Sequence, residues 1–521
     1  MGRRVKETFS QSIFALMMSQ VVIKILGLFY KLYLTNREGF GDEGNAIANS
    51  GFQVFALALS IIAIGIPTAI SKLVAESSAK GNYKGAYKIF KVAFVIFSAL
   101  GILGSIALYQ FSDILAKNYL HIKETRLSII ALSPSVFLVA IISVLKGYFS
   151  GRESIKMTAR AQTFDQLTKT ITTVVMIEIS IIVIKNTNTE LMAAITNLST
   201  TIGNIVELAI LYKAYMNMLP EIKREIKDST NFETIRVVSI IKKILIIAIP
   251  LSLTAIITTI SKNIDSTTIV NDLKDIIGYD EAKRQYGILS GKVDALVNFP
   301  LSFNMAIVTA LLPTIASTNG NIKSKEGRIN QSFLLGMIIA IPVTFVFLVF
   351  SDEILKFLFP NAQSGGDILR ISSFSIIFIT IEQITNIILN GMGEMIIPIK
   401  AISLGVLAKA ILNRLLVPRI DLAVGGTIGA AIATLVCHLV ACVFSFIMLI
   451  KYTRIKISAS NIVKPIMASV IMILISKIVY IVLENRIDFR ISLVVALASG
   501  VGVLLLLSKY MIPITIIKKK K

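Results

Sequence analysis

The sequence predicts an all-α membrane protein of about 14 transmembrane helices, counted from apolar runs of about 20 residues, the length that spans a bilayer. Of its 521 residues 55% are hydrophobic, and the mean hydropathy is +0.77, above that of soluble domains of this length. A transmembrane barrel would instead show short segments that alternate between apolar and polar residues. The chain is therefore expected to be a polytopic helical protein.

The predicted helices follow the apolar runs, and their ends are expected to shift by a few residues. In chain order they cover approximately 12–35, 46–76, 87–110, 127–149, 162–184, 190–213, 238–262, 286–317, 332–350, 371–392, 396–417, 427–450, 462–483 and 491–511.

The net charge of +22 is distributed as a topology signal. With a cytoplasmic N-terminus, the predicted cytoplasmic loops hold a large excess of Lys and Arg, whereas the predicted outer loops are nearly balanced. Membrane lipids are therefore expected partners, and nucleic acid is not. We expect a multi-pass protein of the plasma membrane with both termini cytoplasmic, its basic start being retained rather than cleaved as a signal peptide.

The longest predicted cytoplasmic connection, about 214–237, is polar and divides the chain. We expect an N-terminal six-helix lobe over 1–213, a cytoplasmic linker over 214–237, a C-terminal six-helix lobe over 238–450, and helices 13 and 14 with a basic tail over 451–521. The longest predicted outer connection, about 263–285, is acidic.

Two short similarities between the halves indicate a duplication. IGIPTAIS at 64–71 matches ALLPTIAS at 310–317, and VLKGYFSG at 144–151 resembles ILNGMG at 388–393, at nearly the same spacing. An even number of spans in each half makes the two lobes parallel repeats with a site between them. The alternative is a chance match of short apolar strings.

The first predicted helix carries two lysines inside its apolar run. Lys24 lies near the middle and Lys31 follows two turns later, so both ammonium groups leave the same face. A lysine at mid-membrane costs on the order of 2.5–3.5 kcal/mol. The pair therefore predicts a cationic cavity for an anionic substrate. The alternative is that Lys31 reaches the interface while Lys24 pairs with a carboxylate on another helix.

Further charges interrupt other helices of the first half. Lys72 and Glu76 form an i,i+4 pair at the end of the second helix, which Pro67 is expected to kink. Asp165 and Lys169 form a second such pair, with a moving gate as the alternative to self-neutralisation. Glu178 and Glu207 are isolated and are candidates for a proton or sodium site, or for partners of the first-helix lysines.

In the second half, Lys292 and Asp294 precede Pro300, where a bent helix would expose backbone groups to a cavity. Glu382 and Lys409 lie within later helices, and His438 is interpreted as a packed core histidine. Cys437 and Cys442 have neither metal nor disulfide spacing and are expected to pack in the core.

The sequence holds no phosphate loop, no HExxH and no paired Cys/His ligands. We therefore expect no enzyme, no metal site and no resident cofactor.

Six segments resemble a known family in their order along the chain. They are KILGLFYKLYL (24–34), GIPTAISKLVAESSAKGNYKGAYKIFK (65–91), ALSPSVFLVAIISVLKGYFSGRESIKMTA (131–159), YGILSGKVDALVNFPLSFNMAIVTALLPTIAS (286–317), LNGMGEMIIP (389–398) and GGTIGAAIATLVCHLV (425–440). The chain resembles the polysaccharide-biosynthesis branch of the multidrug/oligosaccharidyl-lipid/polysaccharide exporter superfamily, in particular the stage V sporulation protein B family, which is related to the lipid II flippases.

The resemblance implies two six-helix lobes around a V-shaped cavity, with helices 13 and 14 helping to form a groove for a polyprenyl tail. It places Lys24, Gly27 and Lys31 at or next to basic, glycine and basic positions of the flippases' first helix, and Lys72 near the basic end of their second. Asp294 matches an acidic residue of the eighth helix. The arginine expected beside it is Ala295 here, so that Lys292 is the substitute from a neighbouring turn.

These inferences give three sets of candidate residues. The substrate-binding candidates are Lys24, Lys31, Lys72 and Lys292; the candidates for cavity, gating or coupling roles are Tyr30, Glu76, Asp165, Lys169, Glu178, Glu207, Asp294, Glu382 and Lys409; and the expected helix bends or turns are Gly27, Pro67, Pro300 and Pro313.

The leading hypothesis is a flippase that moves an undecaprenyl-diphosphate-linked saccharide, such as lipid II or a related cell-wall or spore-cortex precursor, to the outer leaflet. Na⁺, H⁺ or the membrane potential would drive it, and cell-wall synthesis proteins are candidate partners. A cation-coupled multidrug exporter of the same fold is one alternative, although such a pump needs carboxylates where the first helix has lysines. A non-transporting scaffold of a wall-synthesis complex is the other.

Overall fold

The computed structural model describes residues 9–183, 185, 187–230, 236–304 and 322–511. Within these ranges the regular structure is helical and contains no strand, which confirms the predicted all-α class. Backbone contacts divide the chain into two compact units, Met1–Gly291 and Lys292–Lys521. This division differs from the lobes expected at 1–213 and 238–450, which stay a prediction.

The first unit contains ten helices among the described residues. They are α1 Phe9–Asn36, α2 Gly41–Ile62, α3 Gly65–Ala79, α4 Tyr83–Gln110, the short α5 Ser112–Ile114 with a π-helical turn Leu115–Tyr119, α6 Thr125–Gly151, α7 Ile155–Ile182, α8 Thr189–Lys227, α9 Val237–Ile277 and α10 Tyr279–Gly287.

A π-helical turn, Ile288–Val293, follows α10 and leads into the helical residues 294–304, here α11. The described helices of the second unit then continue as α12 Ile322–Leu358, α13 Gly366–Gly391, α14 Ile396–Leu416, α15 Gly426–Thr453, α16 Ser460–Glu484 and α17 Phe489–Met511. Pro300 lies within α11, and Pro313 lies outside the described residues, as does the repeat at 310–317.

Eleven spans among the described residues are long and apolar enough to cross a membrane, with α2 and α3 counted as one. The chain is therefore a multi-pass membrane protein. Two of the helices outside that set are α1 and α7. Helix α1 begins at Phe9, the first described residue, and α7 carries charged residues along its length. The count of 14 stays a prediction.

The connection expected at 263–285 is wrong. Helix α9 continues to Ile277, and α10 begins two residues later, after Gly278 with a φ of 88°. The Asp and Asn residues of this stretch indicated a loop, but several of them are buried, including Asn263 and Asp265. Tertiary packing therefore extends the helix through a polar sequence.

The second predicted helix, 46–76, is two helices. The backbone breaks at Ala63 and Ile64, and Pro67 lies in the first turn of α3. Proline fits there because the first backbone N–H groups of a helix lack partners within it.

The linker expected to start at 214 is helical to Lys227, because α8 runs well beyond the predicted end at 213. Arg152, just after α6, holds this extension through a bidentate contact with Glu225, at 2.6 Å and 3.1 Å. Earlier on the same helix, the hydroxyl of Tyr215 lies 3.0 Å from that of Tyr87 on α4.

Two glycines of the KGYFSG segment bring α6 against α3. A Cβ on Gly147 would stand 2.8 Å from the carbonyl oxygen of Pro67, and one on Gly151 would stand 2.7 Å from that of Ser71. Small residues permit such close approach between membrane helices. The repeated segment at 144–151 therefore has a packing role in the first unit.

A network of charged residues joins three helices at one end of the first unit. Lys283 of α10 is 2% exposed, and its Nζ lies 2.5 Å from Glu43 and 3.3 Å from Glu124. Tyr279 donates a hydrogen bond of 2.6 Å to Glu124. Burial by itself raises the pKa of Glu124, but the hydrogen bond from Tyr279 and the charge of Lys283 outweigh it and hold the pKa below its usual value.

Candidate functional site

Lys24 of α1 lies within electrostatic range of another lysine. The positive charge of Lys262, on α9, acts directly on the Lys24 ammonium, and no ion pair joins either side chain to a carboxylate among the described residues. Two like charges that act on each other within membrane helices repel, and a bound anion would offset that repulsion. This pair is the strongest electrostatic indication of an anion site in the first unit.

Lys31 belongs to the same region. Its Nζ donates a 3.2 Å hydrogen bond to the side-chain oxygen of Asn49 on α2. One turn further along α2, the backbone oxygen of Gln53 accepts a 3.2 Å bond from Asn263, the residue after Lys262. Helix α2 therefore connects Lys31 to the position of Lys262, and we call Lys24, Lys31 and Lys262 the lysine set.

Lys169 of α7 has aromatic neighbours. Its Nζ lies 5.2 Å from the ring centre of Tyr30 and 5.4 Å from that of Phe52, so cation–π attraction contributes to its stabilisation. The i,i+4 ion pair with Asp165 is not formed among the described residues, although the two charges attract each other. The structure thus places Lys169 beside Tyr30, the residue that precedes Lys31 on α1.

Glu207 and Glu178 have partners that the sequence did not indicate. Lys146 of α6 lies 2.8 Å from Glu207, whose side chain is 5% exposed. Arg37 and the hydroxyl of Tyr33 each lie 2.5 Å from Glu178. The interpretation of the two carboxylates as isolated is therefore wrong.

The remaining cations predicted to bind substrate differ in their surroundings. Lys72 and Glu76 pair at 4.0 Å on an exposed part of α3, a contact that contributes little. Lys292 is fully buried in the second unit, where it donates hydrogen bonds of 2.7 Å and 2.8 Å to the backbone oxygens of Ala362 and Ser364. These bonds tie the start of the unit to the loop before α13. Binding of substrate by Lys72 or Lys292 stays a prediction.

The second unit holds the other predicted charges. Glu382 of α13 meets His438 of α15 at 2.9 Å, and Lys409 of α14 is 1% exposed. Asp294 is half-buried, and its backbone oxygen accepts a hydrogen bond from Asn298. Gly27 does not interrupt α1, which is helical throughout.

An apolar groove of about 430 Å³ runs along the second unit between α11, α12 and α17. It is lined only by apolar side chains: Phe299, Pro300, Phe303, Ile339, Val343, Val346, Phe347, Ile354, Phe357, Leu358, Leu493, Val494 and Leu497. Its chemistry suits a hydrocarbon chain. Of the last two helices, α17 contributes to the lining, and the groove for a polyprenyl tail expected from helices 13 and 14 stays a prediction.

The comparison with protein families identifies the chain. A family model described as polysaccharide biosynthesis protein matches residues 9–319, more than half of the sequence. The chain belongs to this family. A second model, the lipid II flippase MurJ, matches residues 292–499.

Individual relatives agree with this membership in the polysaccharide biosynthesis protein family. The chain is 24% identical over 512 residues to the lipid II flippase MurJ of Bacillus subtilis (strain 168), covering 94% of this chain and 92% of that one. It is 23% identical over 381 residues to stage V sporulation protein B of the same organism, covering 72% and 71%. The family resemblance expected from the sequence is confirmed.

Two solved structures share the fold. Lipid II flippase MurJ in an inward closed conformation matches with a TM-score of 0.70 at 16% identity, over 95% of this chain and 98% of that one. An inward-facing multidrug resistance MATE transporter of the MOP superfamily matches with a TM-score of 0.64 at 15% identity, over 84% and 98%.

Three functional candidates escaped the sequence reasoning, namely Lys262, Lys146 and His438. Lys262 was assigned to a helix end, because the polar residues after it were interpreted as a loop. The other two pair with residues 61 and 56 positions away in the sequence, Glu207 and Glu382, and only the packing of helices brings them together.

Proposed function

We propose that this protein is a flippase of the plasma membrane that moves an undecaprenyl-diphosphate-linked saccharide from the inner to the outer leaflet. Such a substrate requires a cationic site in the protein, because its diphosphate cannot leave water without compensating charge. The family membership and the relatives described as lipid II flippase support this class of substrate. The proposal concerns the diphosphate, which lipid II and related cell-wall precursors share.

The observation that carries the proposal is the electrostatic repulsion between Lys24 and Lys262, neither of which has a carboxylate partner among the described residues. A bound diphosphate would remove their repulsion and gain charge-assisted hydrogen bonds from both ammonium groups. Lys31 would add a third cation from the same face of α1. A site for a cationic drug needs the opposite sign of charge, so the lysine set favours an anionic substrate.

The hydrocarbon part of the substrate would follow a different surface. The groove between α11, α12 and α17 is lined by apolar side chains, so it offers water no hydrogen-bonding groups. A polyprenyl tail would therefore lie there or in the surrounding lipid, while the saccharide crosses through the protein. Alternation between inward and outward states would complete the cycle, with both termini in the cytoplasm.

Binding of lipid II to the full chain in detergent tests the proposal. We would titrate wild type and Lys24→Gln/Lys31→Gln with a lipid II analogue that carries a shortened polyprenyl chain. Each lost charge-assisted contact costs about 1.5 kcal/mol or more. Since 1.4 kcal/mol is tenfold in affinity, the double variant is expected to bind about 100-fold more weakly.

A matched variant controls for the removal of two charges. Lys84→Gln/Lys213→Gln changes two exposed lysines on α4 and α8, outside the lysine set, and is expected to bind like wild type. Equal affinity for the lipid II analogue in wild type and a folded Lys24→Gln/Lys31→Gln variant would remove the basis of the proposed headgroup site.

A further inference from the structure

The second unit contains a buried pair of titratable side chains that the headgroup site does not use. Nδ1 of His438, on α15, lies 2.9 Å from Oε2 of Glu382, on α13. The side chains are 16% and 9% exposed. The pair therefore joins two packed helices rather than lying on an exposed surface.

The pair lies deep in both helices. His438 is twelve residues beyond the start of α15 at Gly426, which is roughly 18 Å at the helical rise of 1.5 Å per residue. Both α13 and α15 are long and apolar enough to span a membrane. A bilayer core is about 30 Å thick, so in a helix that spans it we expect a residue at this distance from the start to lie near the middle.

The neighbouring helices contribute few other titratable groups. Cys442, one turn beyond His438, is close enough to sense the charge of Glu382. Helix α14 contributes the buried Lys409, and α12 has no titratable side chain between Arg328 and Asp352. One to two turns further along, Ser445 of α15 donates a 3.3 Å hydrogen bond to Asn386 of α13, an uncharged contact between the same helices.

The charge of the pair depends on one proton. A neutral imidazole that donates its Nδ1 proton to the Glu382 carboxylate leaves a net charge of −1, whereas one added proton on Nε2 makes the pair neutral overall. A net charge is costly away from water and a neutral ion pair is less so. Enclosure in the membrane therefore favours the protonated pair, and opening to water favours release of the proton.

We propose that Glu382 and His438 form a proton-binding site that couples movement of the second unit to the transmembrane proton gradient. One proton binds where the pair is open to the acidic side and leaves where it opens to the other side. Histidine suits this role because its unperturbed pKa lies near neutral pH. For its effect on transport, the inference rests on the proposed flippase function.

A histidine titration tests the site without any substrate. The chain contains two histidines, so full-length protein labelled with ¹³C,¹⁵N-histidine in micelles gives two sets of NMR signals, and His121→Gln assigns them. His121 lies in the loop before α6, where burial and the charge of Lys274 lower its pKa. We expect the His438 signal to change with pH in wild type, and that response to be altered in Glu382→Gln, because the variant removes the carboxylate partner.

Asn386→Ala is the matched variant for this titration, because it removes the uncharged contact between the same two helices. It is expected to leave the pH response of the His438 signal as in wild type, because no charge beside the imidazole changes. A His438 signal that does not change with pH, or a pH response that is equal in wild type and Glu382→Gln, would overturn the proposed proton site.

Transport in proteoliposomes tests the coupling. Flipping of fluorescent lipid II by wild type should change at least threefold when a pH gradient of two units is reversed, but not when an equal Na⁺ gradient is reversed. Glu382→Gln and His438→Gln should give the same rate under both pH gradients, whereas Asn386→Ala should respond like wild type. Flipping that ignores the pH gradient in wild type contradicts the coupling alone, whereas an absence of lipid II flipping together with a titrating His438 contradicts the flippase proposal and leaves the proton site standing.

Discussion

Replacing Lys146 should destabilise the first unit strongly. Its Nζ lies 2.8 Å from Glu207, and the two side chains are 18% and 5% exposed. Lys146→Met keeps most of the stem but leaves the Glu207 carboxylate buried without its cation, and it also removes a positive charge that acts on Asp165. Removing one partner of a buried ion pair costs about 3–5 kcal/mol. That is a large share of the roughly 5–15 kcal/mol by which folded proteins are stable.

Equilibrium unfolding of the full chain in mixed detergent micelles measures this cost. We expect Glu207→Gln to cost less than Lys146→Met, because the Asp165 carboxyl, which interacts with Lys146, remains. The double variant should recover most of the loss, since neither charge is then left alone.

The exposed pair of Lys117 and Asp113, also about 2.9 Å apart, serves as the control for Lys146. Lys117→Met is expected to cost at most about 1 kcal/mol, because solvent screens this pair. The electrostatic reasoning would be refuted by a Lys146→Met variant that loses less than about 1 kcal/mol, or by a double variant that is no more stable than Lys146→Met.

Three further predictions concern packing, pH and binding. Gly151→Ala should lose about 1–3 kcal/mol of unfolding free energy, since its Cβ would stand 2.7 Å from the Ser71 oxygen, whereas Gly27→Ala, which meets nothing closer than 4.0 Å, should stay within about 0.5 kcal/mol of wild type. The pKa of Glu124 is lower in the folded protein than its unfolded value of about 4.3. The stabilisation from this carboxylate is therefore present at pH 6 and is lost as the pH falls through the folded-state pKa. Glu124→Gln should accordingly reduce the difference in thermal stability between pH 6 and pH 3. Lys262→Gln should weaken binding of the lipid II analogue about tenfold in the same titration, through the loss of one charge-assisted contact worth about 1.5 kcal/mol.

The helices of this protein are largely predictable from its sequence, because most of them must bury apolar residues against lipid as well as protein. The bounds of α13, α14, α16 and α17 agree with the apolar runs to within a few residues. One failure is the break between α2 and α3 within the helix predicted at 46–76. The others occur at α9 and at the end of α8, where polar residues continue a helix through contacts with other parts of the unit. A hydropathy pattern does not contain those contacts.

The candidate site is predictable only in part. The two lysines of α1 are visible as charges within an apolar run, but Lys262 depends on the true length of α9. Glu207 and Glu382 are visible as charges within helices, whereas their partners Lys146 and His438 follow from helix packing. A single sequence therefore shows which membrane-spanning helices carry charged residues, but not which side chains pair with them.

The measurement that tests the central claim most directly is transbilayer movement of fluorescent lipid II in proteoliposomes, with protein-free vesicles as the baseline. Wild type should move the lipid at a rate well above that baseline, and Lys84→Gln/Lys213→Gln should move it at the wild-type rate. The rate for a folded Lys24→Gln/Lys31→Gln variant should fall close to that of protein-free vesicles. Equal rates in wild type and the Lys24→Gln/Lys31→Gln variant would contradict the proposed role of the lysine set, and an absence of movement by well-folded wild type would contradict lipid II as the substrate.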